Sequence, residues 1–165
     1  MTDPVILESN SEEKSRHPEH EVVMCTVGKE YFALPLEAMA EIYKAADITP
    51  LPLSPAFMTG VINVHGNLAS VLSLAGLLGL SETPGVDGLL LILTAEYGGF
   101  ALLIDSTTGF TAYTTLEEVA RDNVEDDSSV AFIEGVFRDK GKLVSLINPG
   151  KLRVWIDSEF TKGDN

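Results

Sequence analysis

The stretch FMTGVINVHGNLASVL, residues 57–72, recurs further along the chain as FIEGVFRDKGKLVSLI, residues 132–147. Six of the sixteen aligned positions are identical at a constant offset of 75 residues. The identical pairs are Phe57 and Phe132, Gly60 and Gly135, Val61 and Val136, Gly66 and Gly141, Leu68 and Leu143, and Ser70 and Ser145. Each copy consists of two short β-rich runs around a glycine turn, which predicts a β-hairpin in each half of the chain.

Other short β-rich runs precede these hairpins. VVMCTV and EYFALPL flank Gly28-Lys29, and LLLILT and FALLI flank a turn over Tyr97-Gly98-Gly99. Short strands with turns at this spacing are typical of β-barrels and sandwiches. The sequence therefore predicts an all-β fold with a few short helices, in which two small barrels pack side by side as a pseudo-repeat. Because small domains bury a low fraction of their surface, we expect a shared interface to stabilise both.

Changes in composition along the chain indicate the boundaries of the domain. Residues 1–20 are polar and acidic without periodicity, which predicts a disordered arm. We expect one domain over residues 21–156, with the first barrel at about 21–80, the second at about 88–150, crossover elements between them, and a flexible tail at 157–165. Apolar spacing predicts a short helix over 36–43. AGLLGL predicts another short helix, and NPGKLRVWI a terminal helix that packs Leu152 and Trp155 onto the core.

The acidic balance limits the classes of partner. The chain of 165 residues has a formal net charge of −14, with only 11 Lys and Arg. Nucleic acid and anionic lipid both need clustered basic residues, so neither is an expected partner. No apolar run approaches the roughly 20 residues of a membrane-spanning helix, and the N-terminus lacks the features of a secretory signal. The acidic residues concentrate at 8–21, 117–127 and the C-terminal end.

Catalytic and metal-binding signals are sparse. The sequence contains no phosphate-binding glycine loop and no HExxH. Cys25 is the only cysteine, lies in an apolar run, and is expected to be a small buried hydrophobe. His17 and His20 have metal-ligand spacing but fall in the predicted arm. Asp105 suits turn capping better than catalysis. An enzyme built on these residues would require Asp105 to lie next to His65, which is distant in sequence.

The paired glycines indicate backbone requirements. Gly60 and Gly135 precede a strand, and Gly66 and Gly141 lie at hairpin tips. Such positions imply positive φ or close approach of another chain segment. Strands bounded by glycine also leave an edge or groove where a partner can dock. Both interpretations stay open from the residues alone.

The segment PLSPAFMTGVINVHGNLASVLSL resembles the hallmark of the CheW-like family of bacterial chemotaxis adaptors. The matching residues are Pro52, Pro55, Phe57, Gly60, Val61, Asn63 and Gly66. The resemblance extends over about residues 21–156, through EYFALPLEAMAEIY, GGFALLIDSTTGF and FIEGVFRDKGKLVSLINPGKL. It implies two SH3-like five-stranded barrels without catalytic activity or cofactor.

The resemblance also implies partners. Members couple the cytoplasmic tip of a chemoreceptor to a chemotaxis-type histidine kinase whose regulatory domain shares the fold, and they can close into rings. The implied location is cytoplasmic, next to membrane receptor arrays. A receptor helix docks in an apolar groove between the barrels, which implies a receptor-binding set here: Met39, Glu41, Gly60, Val61, Asn63, His65, Gly66 and Gly135. Kinase contact is expected on exposed edges of the second barrel and around Gly98 and Gly99.

This chain departs from the family pattern at three positions. His65 stands where the family has Arg, Ser70 replaces a common proline, and Ser73 replaces the aspartate of an Asp-Leu ending. His offers fewer donors than Arg and titrates near neutral pH. We therefore expect a side branch of the family that serves a dedicated receptor–kinase cluster for pili, gliding or development rather than flagella. We also expect His65→Arg to strengthen association with receptor or kinase.

Two other function classes stay open from the sequence. A barrel that binds a small ligand or an oligosaccharide would need exposed aromatic residues, whereas aromatics total 7% and most occupy core-like positions. An enzyme built around Asp105 and His65 is the other class.

Overall fold

The computed structural model describes residues 19–80, 88–117 and 131–163. In these ranges the chain forms ten strands and two α-helices. The elements are β1 (His20–Val27), β2 (Glu30–Pro35), β3 (Met39–Lys44), β4 (Met58–Val64), β5 (Asn67–Ser73), α1 (Leu74–Leu77), β6 (Leu89–Leu93), β7 (Ala101–Ile104), β8 (Ser106–Tyr113), β9 (Ile133–Asp139), β10 (Lys142–Ile147) and α2 (Pro149–Gly163). Residues 36–38 and 95–97 form single 3₁₀ turns.

The strands form two five-stranded sheets. Their orders are β8-β1-β2-β10-β9 and β3-β6-β7-β5-β4, and we call them the first and second barrel. Each sheet curls until its edges meet. Thr49, after β3, bridges Val61 on β4, and Glu117, after β8, bridges Val136 on β9. The predicted fold class, with its two five-stranded β units and few helices, is confirmed.

The repeated stretches form equivalent hairpins. The hairpins β4–β5 and β9–β10 coincide with the two copies of the repeat. Residue 58 starts β4 and residue 133 starts β9, a difference of 75. In each barrel the second hairpin strand pairs in parallel with a strand from the other half of the chain, β5 with β7 and β10 with β2.

The barrels do not follow the expected division of the chain at residues 21–80 and 88–150. The first barrel combines β1 and β2 with β8, β9 and β10, and the second combines β3, β4 and β5 with β6 and β7. The chain passes from one sheet to the other between β2 and β3 and returns between β7 and β8. Both halves therefore contribute strands to the two barrels in unequal numbers, and β3, β4 and β5 of the first half join the second barrel. This correction makes each sheet dependent on strands that are distant in sequence.

Two further local expectations were wrong. Residues 36–43 form one 3₁₀ turn followed by β3. Register shifts between Met39 and Glu41, so Met39 packs against one core and Tyr43 against another. A helix would place both on one face. Residues 157–163, expected as a tail, continue α2. Residues 1–18 of the predicted arm and 118–130 of the acidic segment lie outside the described ranges.

The largest apolar cluster lies between the barrels. It joins outer-face residues of both sheets with the helices, and its buried members include Val23, Phe32, Leu34, Leu91, Leu102, Phe132, Leu152 and Ile156. Each fully buried side chain of this size contributes about 1.5–3 kcal/mol. Trp155 of α2 packs here against Phe57 and Phe132, which confirms the predicted packing of the terminal helix. The shared interface therefore provides much of the apolar burial of the fold.

Each barrel also has a small interior of its own. The buried residues of the first are Val22, Met24, Ala33, Phe137, Val144 and Leu146. Those of the second are Ala45, Val71, Leu90, Ile92, Ala101 and Leu103. Buried apolar side chains line both interiors. Cys25 is fully buried in the cluster between the barrels, and burial raises the pKa of its thiol to about 12. The expectation of a buried, protonated cysteine is confirmed.

Candidate functional site

The tip of the β4–β5 hairpin has a backbone that few residue types adopt. His65 has φ 51° and Gly66 has φ 87°. Positive φ at both central residues is the pattern of a type I′ turn, whose twist suits a two-residue hairpin. The Asn63 side chain accepts a hydrogen bond of 2.8 Å from the Gly66 N–H. The hallmark residues Asn63 and Gly66 therefore fix the turn that presents His65.

His65 forms a cluster with two side chains of β3. Its Nε2 lies 2.9 Å from Oε1 of Glu41 and 2.7 Å from the Tyr43 hydroxyl. That hydroxyl donates to the other Glu41 oxygen at 2.8 Å. Glu41 accepts only, so Nε2 carries a hydrogen here. We call Glu41, Tyr43 and His65 the clasp.

The hydrogen bonds of the clasp shift the pKa values of Glu41 and Tyr43. The side chains of His65 and Glu41 are 69% and 40% exposed, so water screens their attraction. Hydrogen bonds from Tyr43 and then from His65 hold the pKa of the Glu41 carboxyl below its ordinary value. The hydrogen bond to Glu41 raises the pKa of Tyr43. The clasp ties the edge strand β3 to the hairpin at the opposite edge of the same sheet.

Close approach of another backbone segment requires glycine at positions 60 and 135. A Cβ at Gly60 would lie 2.2 Å from the Thr49 carbonyl oxygen, and one at Gly135 would lie 2.8 Å from that of Glu117. Both contacts occur where the barrel edges bridge. The interpretation of close chain approach is confirmed for this pair. Gly135 lies on the edge strand of the first barrel, so it is the repeat equivalent of Gly60 on a different sheet.

The outer face of the β4–β5 hairpin presents a continuous strip. Val61 pairs with Ser70 and Asn63 pairs with Leu68, and directly opposed residues share a face. Leu68 is 75% exposed, while Leu72 on the same face is buried between the barrels. The strip thus runs from the interface outward to an exposed apolar side chain. Met39 packs against the cluster at that interface.

Gly98 and Gly99 lie in the turn between β6 and β7. Gly98 has φ 97° and ends the 3₁₀ turn by donating to the Ala95 carbonyl. Gly99 has φ 64°, and a Cβ there would meet open space. Arg153 of α2 donates to the Glu96 carbonyl at 2.8 Å. The terminal helix therefore holds this turn beside the interface.

The candidates for catalysis have other roles. Asp105 accepts a hydrogen bond of 2.7 Å from the Gly28 N–H, so it caps the distant β1–β2 turn, whereas the sequence predicts that it caps a turn of its own segment DSTTG. His20 stacks on Tyr113 with ring centroids 5.0 Å apart, and His17 lies outside the described residues. Within residues 19–80, 88–117 and 131–163, no group of three or more His, Cys, Asp and Glu has the spacing of a metal site.

The structure brings together only part of the predicted receptor set. Glu41 and His65 touch, and Gly60, Val61, Asn63 and Gly66 share their hairpin with His65. Sequence reasoning missed Tyr43 and Leu68. The repeat did contain a signal for Leu68, which is identical to Leu143 in an otherwise polar turn. Tyr43 gave none, because its partner His65 lies 22 residues away.

A known protein family matches nearly the same range of the chain as the expected domain at 21–156. Residues 21–155 match the family model described as "CheW-like domain". "Chemotaxis protein CheW" of Rhizobium meliloti is 23% identical over 128 residues, 77% of this chain and 83% of the relative. The protein of that name in Thermotoga maritima is 25% identical over 134 residues, 81% of this chain and 87% of the relative.

A solved structure shows the same fold. The scaffolding protein TtCheW from Thermoanaerobacter tengcongensis superimposes with a TM-score of 0.67 at 22% identity, covering 78% of this chain and 83% of that one. In the part of the chain that the structure describes, no helix has the length and apolar character of a membrane span.

Proposed function

Because this chain belongs to the family of CheW-like domains, we propose that it is a non-enzymatic adaptor. It couples the cytoplasmic tips of chemoreceptors to a chemotaxis-type histidine kinase and acts in the cytoplasm at membrane receptor arrays. The observation that carries the proposal is the family match over residues 21–155, which spans both barrels and every hairpin of the repeat.

The receptor helix docks on the outer face of the β4–β5 hairpin. Val61, Asn63 and the exposed Leu68 offer the apolar and polar contacts that an amphipathic helix needs. The clasp borders this strip and sets its charge. Met39, Gly60 and Gly66 act through the backbone and the packing beneath it, and Gly135 has the role of Gly60 on the first barrel.

The kinase docks at the turn that contains Gly98 and Gly99. Gly98 is exposed, and open space surrounds Gly99, so a partner backbone can approach closely. The contact of Arg153 with Glu96 holds the turn in place. The two partners thus use separate surfaces, as an adaptor requires.

The narrow interiors of five-stranded barrels disfavour the alternative of a small-ligand barrel, since side chains fill the interior even of many eight-stranded barrels. The residues that line the two interiors here are buried apolar side chains, and a ligand cavity of typical size needs about 300 Å³ or more.

Receptor binding is tested with Val61→Glu in the full chain. A buried unpaired carboxylate costs several kcal/mol, so affinity for a receptor cytoplasmic fragment of the same organism should fall by at least about tenfold. Val136→Glu is the matched control, because Val136 holds the equivalent place on β9. Equal loss in both variants, or no loss in either, contradicts the receptor surface.

Kinase binding is tested with Gly99→Asn. Asn tolerates left-handed backbone, so the variant adds a side chain without a clash. It should weaken kinase binding and leave receptor binding unchanged. Gly79→Asn, at another positive φ with open space around it, is the control. If the wild-type chain binds neither a receptor nor a histidine kinase of its organism, the adaptor function is wrong.

A further inference from the structure

The tip of the β9–β10 hairpin concentrates positive charge. Arg138, Lys140 and Lys142 are exposed within six residues, and Leu143 beside them is 52% exposed. With Asp139, the formal charge of residues 138–143 is +3 − 1 = +2, in a chain whose net charge is −14. We call residues 138–143 the cationic tip.

Hairpin geometry does not require this charge. The equivalent tip of the other barrel has the same strand lengths before its turn and the same type of turn. The residues at the three cationic positions are there Asn63, His65 and Asn67. Only the turn glycine (Gly66 and Gly141) and the apolar member (Leu68 and Leu143) are common to both tips. The charge is therefore a property of the β9–β10 tip alone.

The left-handed backbone conformation of Lys140 also costs conformational free energy. Its φ is 50°, and that of His65 is 51°. Left-handed backbone costs a residue with a Cβ about 1–2 kcal/mol, and type I′ turns favour Asn or Gly here. His65 gains contacts with Glu41 and Tyr43 in return. No described residue offers Lys140 a comparable hydrogen bond or ion pair.

The neighbouring acid does not neutralise the tip. Asp139 accepts a hydrogen bond of 3.1 Å from the Thr111 hydroxyl of β8. Lys142 places its Nζ 4.6 Å from the centroid of the Tyr31 ring. Arg138 has no ion-pair partner among the described residues. Arg138 and Lys140 thus present, next to an exposed leucine, two cations that form no ion pair with any residue in the described ranges.

We propose that the cationic tip docks an acidic segment of another protein. Carboxylates of that segment pair with Arg138 and Lys140, and an apolar side chain covers Leu143. The overall charge of −14 repels the extended anionic surfaces of nucleic acid and of anionic membranes. Charges beyond about 10 Å are screened at moderate salt, so the local cations dominate contact with a short acidic peptide. This inference does not rest on the adaptor function.

The test is an anisotropy titration of the full chain with a labelled peptide of glutamates around a central leucine. Arg138→Gln combined with Lys140→Asn removes two charges and should weaken binding by roughly three- to tenfold. Lys44→Gln combined with Lys151→Gln is the matched control, because both lysines are exposed and the net charge changes equally. At about 1 M salt, where the screening length is about 3 Å, the two variants should bind alike.

Leu143→Ser gives an independent readout. It should weaken binding of the leucine peptide but not of a peptide in which alanine replaces that leucine. The proposal is overturned if the two double variants lose affinity equally, if the wild-type chain does not bind the peptide, or if duplex DNA or anionic vesicles bind more tightly. Self-association that disappears in Arg138→Gln with Lys140→Asn would identify a second copy as the occupant instead, and would also overturn it.

Discussion

Nε2 of His65 and Oε1 of Glu41 lie 2.9 Å apart although the residues belong to opposite edges of one sheet. The contact closes the second barrel by side chains beside the place where Thr49 and Val61 close it by backbone. The first barrel has an analogous closure, in which Thr111 of β8 donates to Asp139 of β9. Each barrel therefore has a polar link between its edges, and the link in the second barrel joins two side chains of ionisable type.

Glu41 should make stability depend on pH. Its folded-state pKa lies below the ordinary value of 4.5, chiefly through the hydrogen bond from Tyr43. A lowered pKa contributes stability above the unfolded value, and that stability is lost as pH falls through the folded pKa. The Tm of the wild-type chain should exceed that of Glu41→Gln at neutral pH, and the gap should narrow in acid. Tyr43→Phe should reduce the same gap, and a gap independent of pH would contradict the assignment.

His65→Arg should tighten the association with receptor or kinase. Arg keeps a permanent charge and offers five donors, so Glu41 retains a partner while further donors face the docking strip. We expect a gain of roughly threefold, since exposed pairs are weak. Isothermal titration measures it, with Lys140→Arg as the control at the equivalent turn position. Unchanged or weaker binding by His65→Arg would remove His65 from the recognition surface.

Gly60→Ala should destabilise the fold by about 3 kcal/mol or more, because overpacking here also breaks the bridge to Thr49. The new Cβ would lie 2.2 Å from a backbone oxygen that cannot move without opening the barrel. Gly66→Ala meets nothing within 4 Å, so it should cost only the left-handed strain of about 1–2 kcal/mol. Urea denaturation compares the two. Equal costs would show that the close approach at Gly60 is unimportant.

The repeat predicted the hairpins because its glycines act locally. Gly66 and Gly141 set turns within their own segments, and the alternating residues around them set the faces. The assignment of strands to barrels was not predictable in this way. Strand β3 pairs with β6 across the residues of β4, β5 and α1, and no local pattern records which edge a strand joins.

The clasp was only half predictable for a similar reason. The resemblance pointed to Glu41 and His65, but their contact depends on barrel closure. The false helix over 36–43 has a different cause. The apolar residues at helical spacing pack into two different clusters, because the bulge at Met39 turns side chains of β3 toward different sides. Met39 packs between the barrels and Tyr43 packs against the interior of the second barrel. A prediction from helical periodicity assumes that all apolar residues of a segment face the same core, and in a strand that lies between two cores they do not.

Phe132→Ala should cost about 3–5 kcal/mol, the usual loss for a buried aromatic residue. Phe132 is fully buried between the barrels and contacts Trp155. Phe110→Ala is the control, because that ring is 64% exposed, and its change should stay within about 0.5 kcal/mol. Trp155 fluorescence follows unfolding for both. A small loss at Phe132 would mean that the interface between the barrels contributes little to stability.

Leu53→Asn should stabilise the protein. Leu53 has φ 59° and its side chain is fully exposed, so the substitution removes no packing. Left-handed backbone costs Leu about 1–2 kcal/mol, a cost that Asn reduces through local hydrogen bonds. We expect a gain of roughly 0.5–1 kcal/mol in the free energy of unfolding, measured in urea. Leu51→Asn in the same loop should bring no gain, because Leu51 lacks a positive φ and is only 39% exposed. A loss of stability in Leu53→Asn would show that the leucine makes contacts in solution that repay its strain, and the loop would then become a candidate docking surface in its own right.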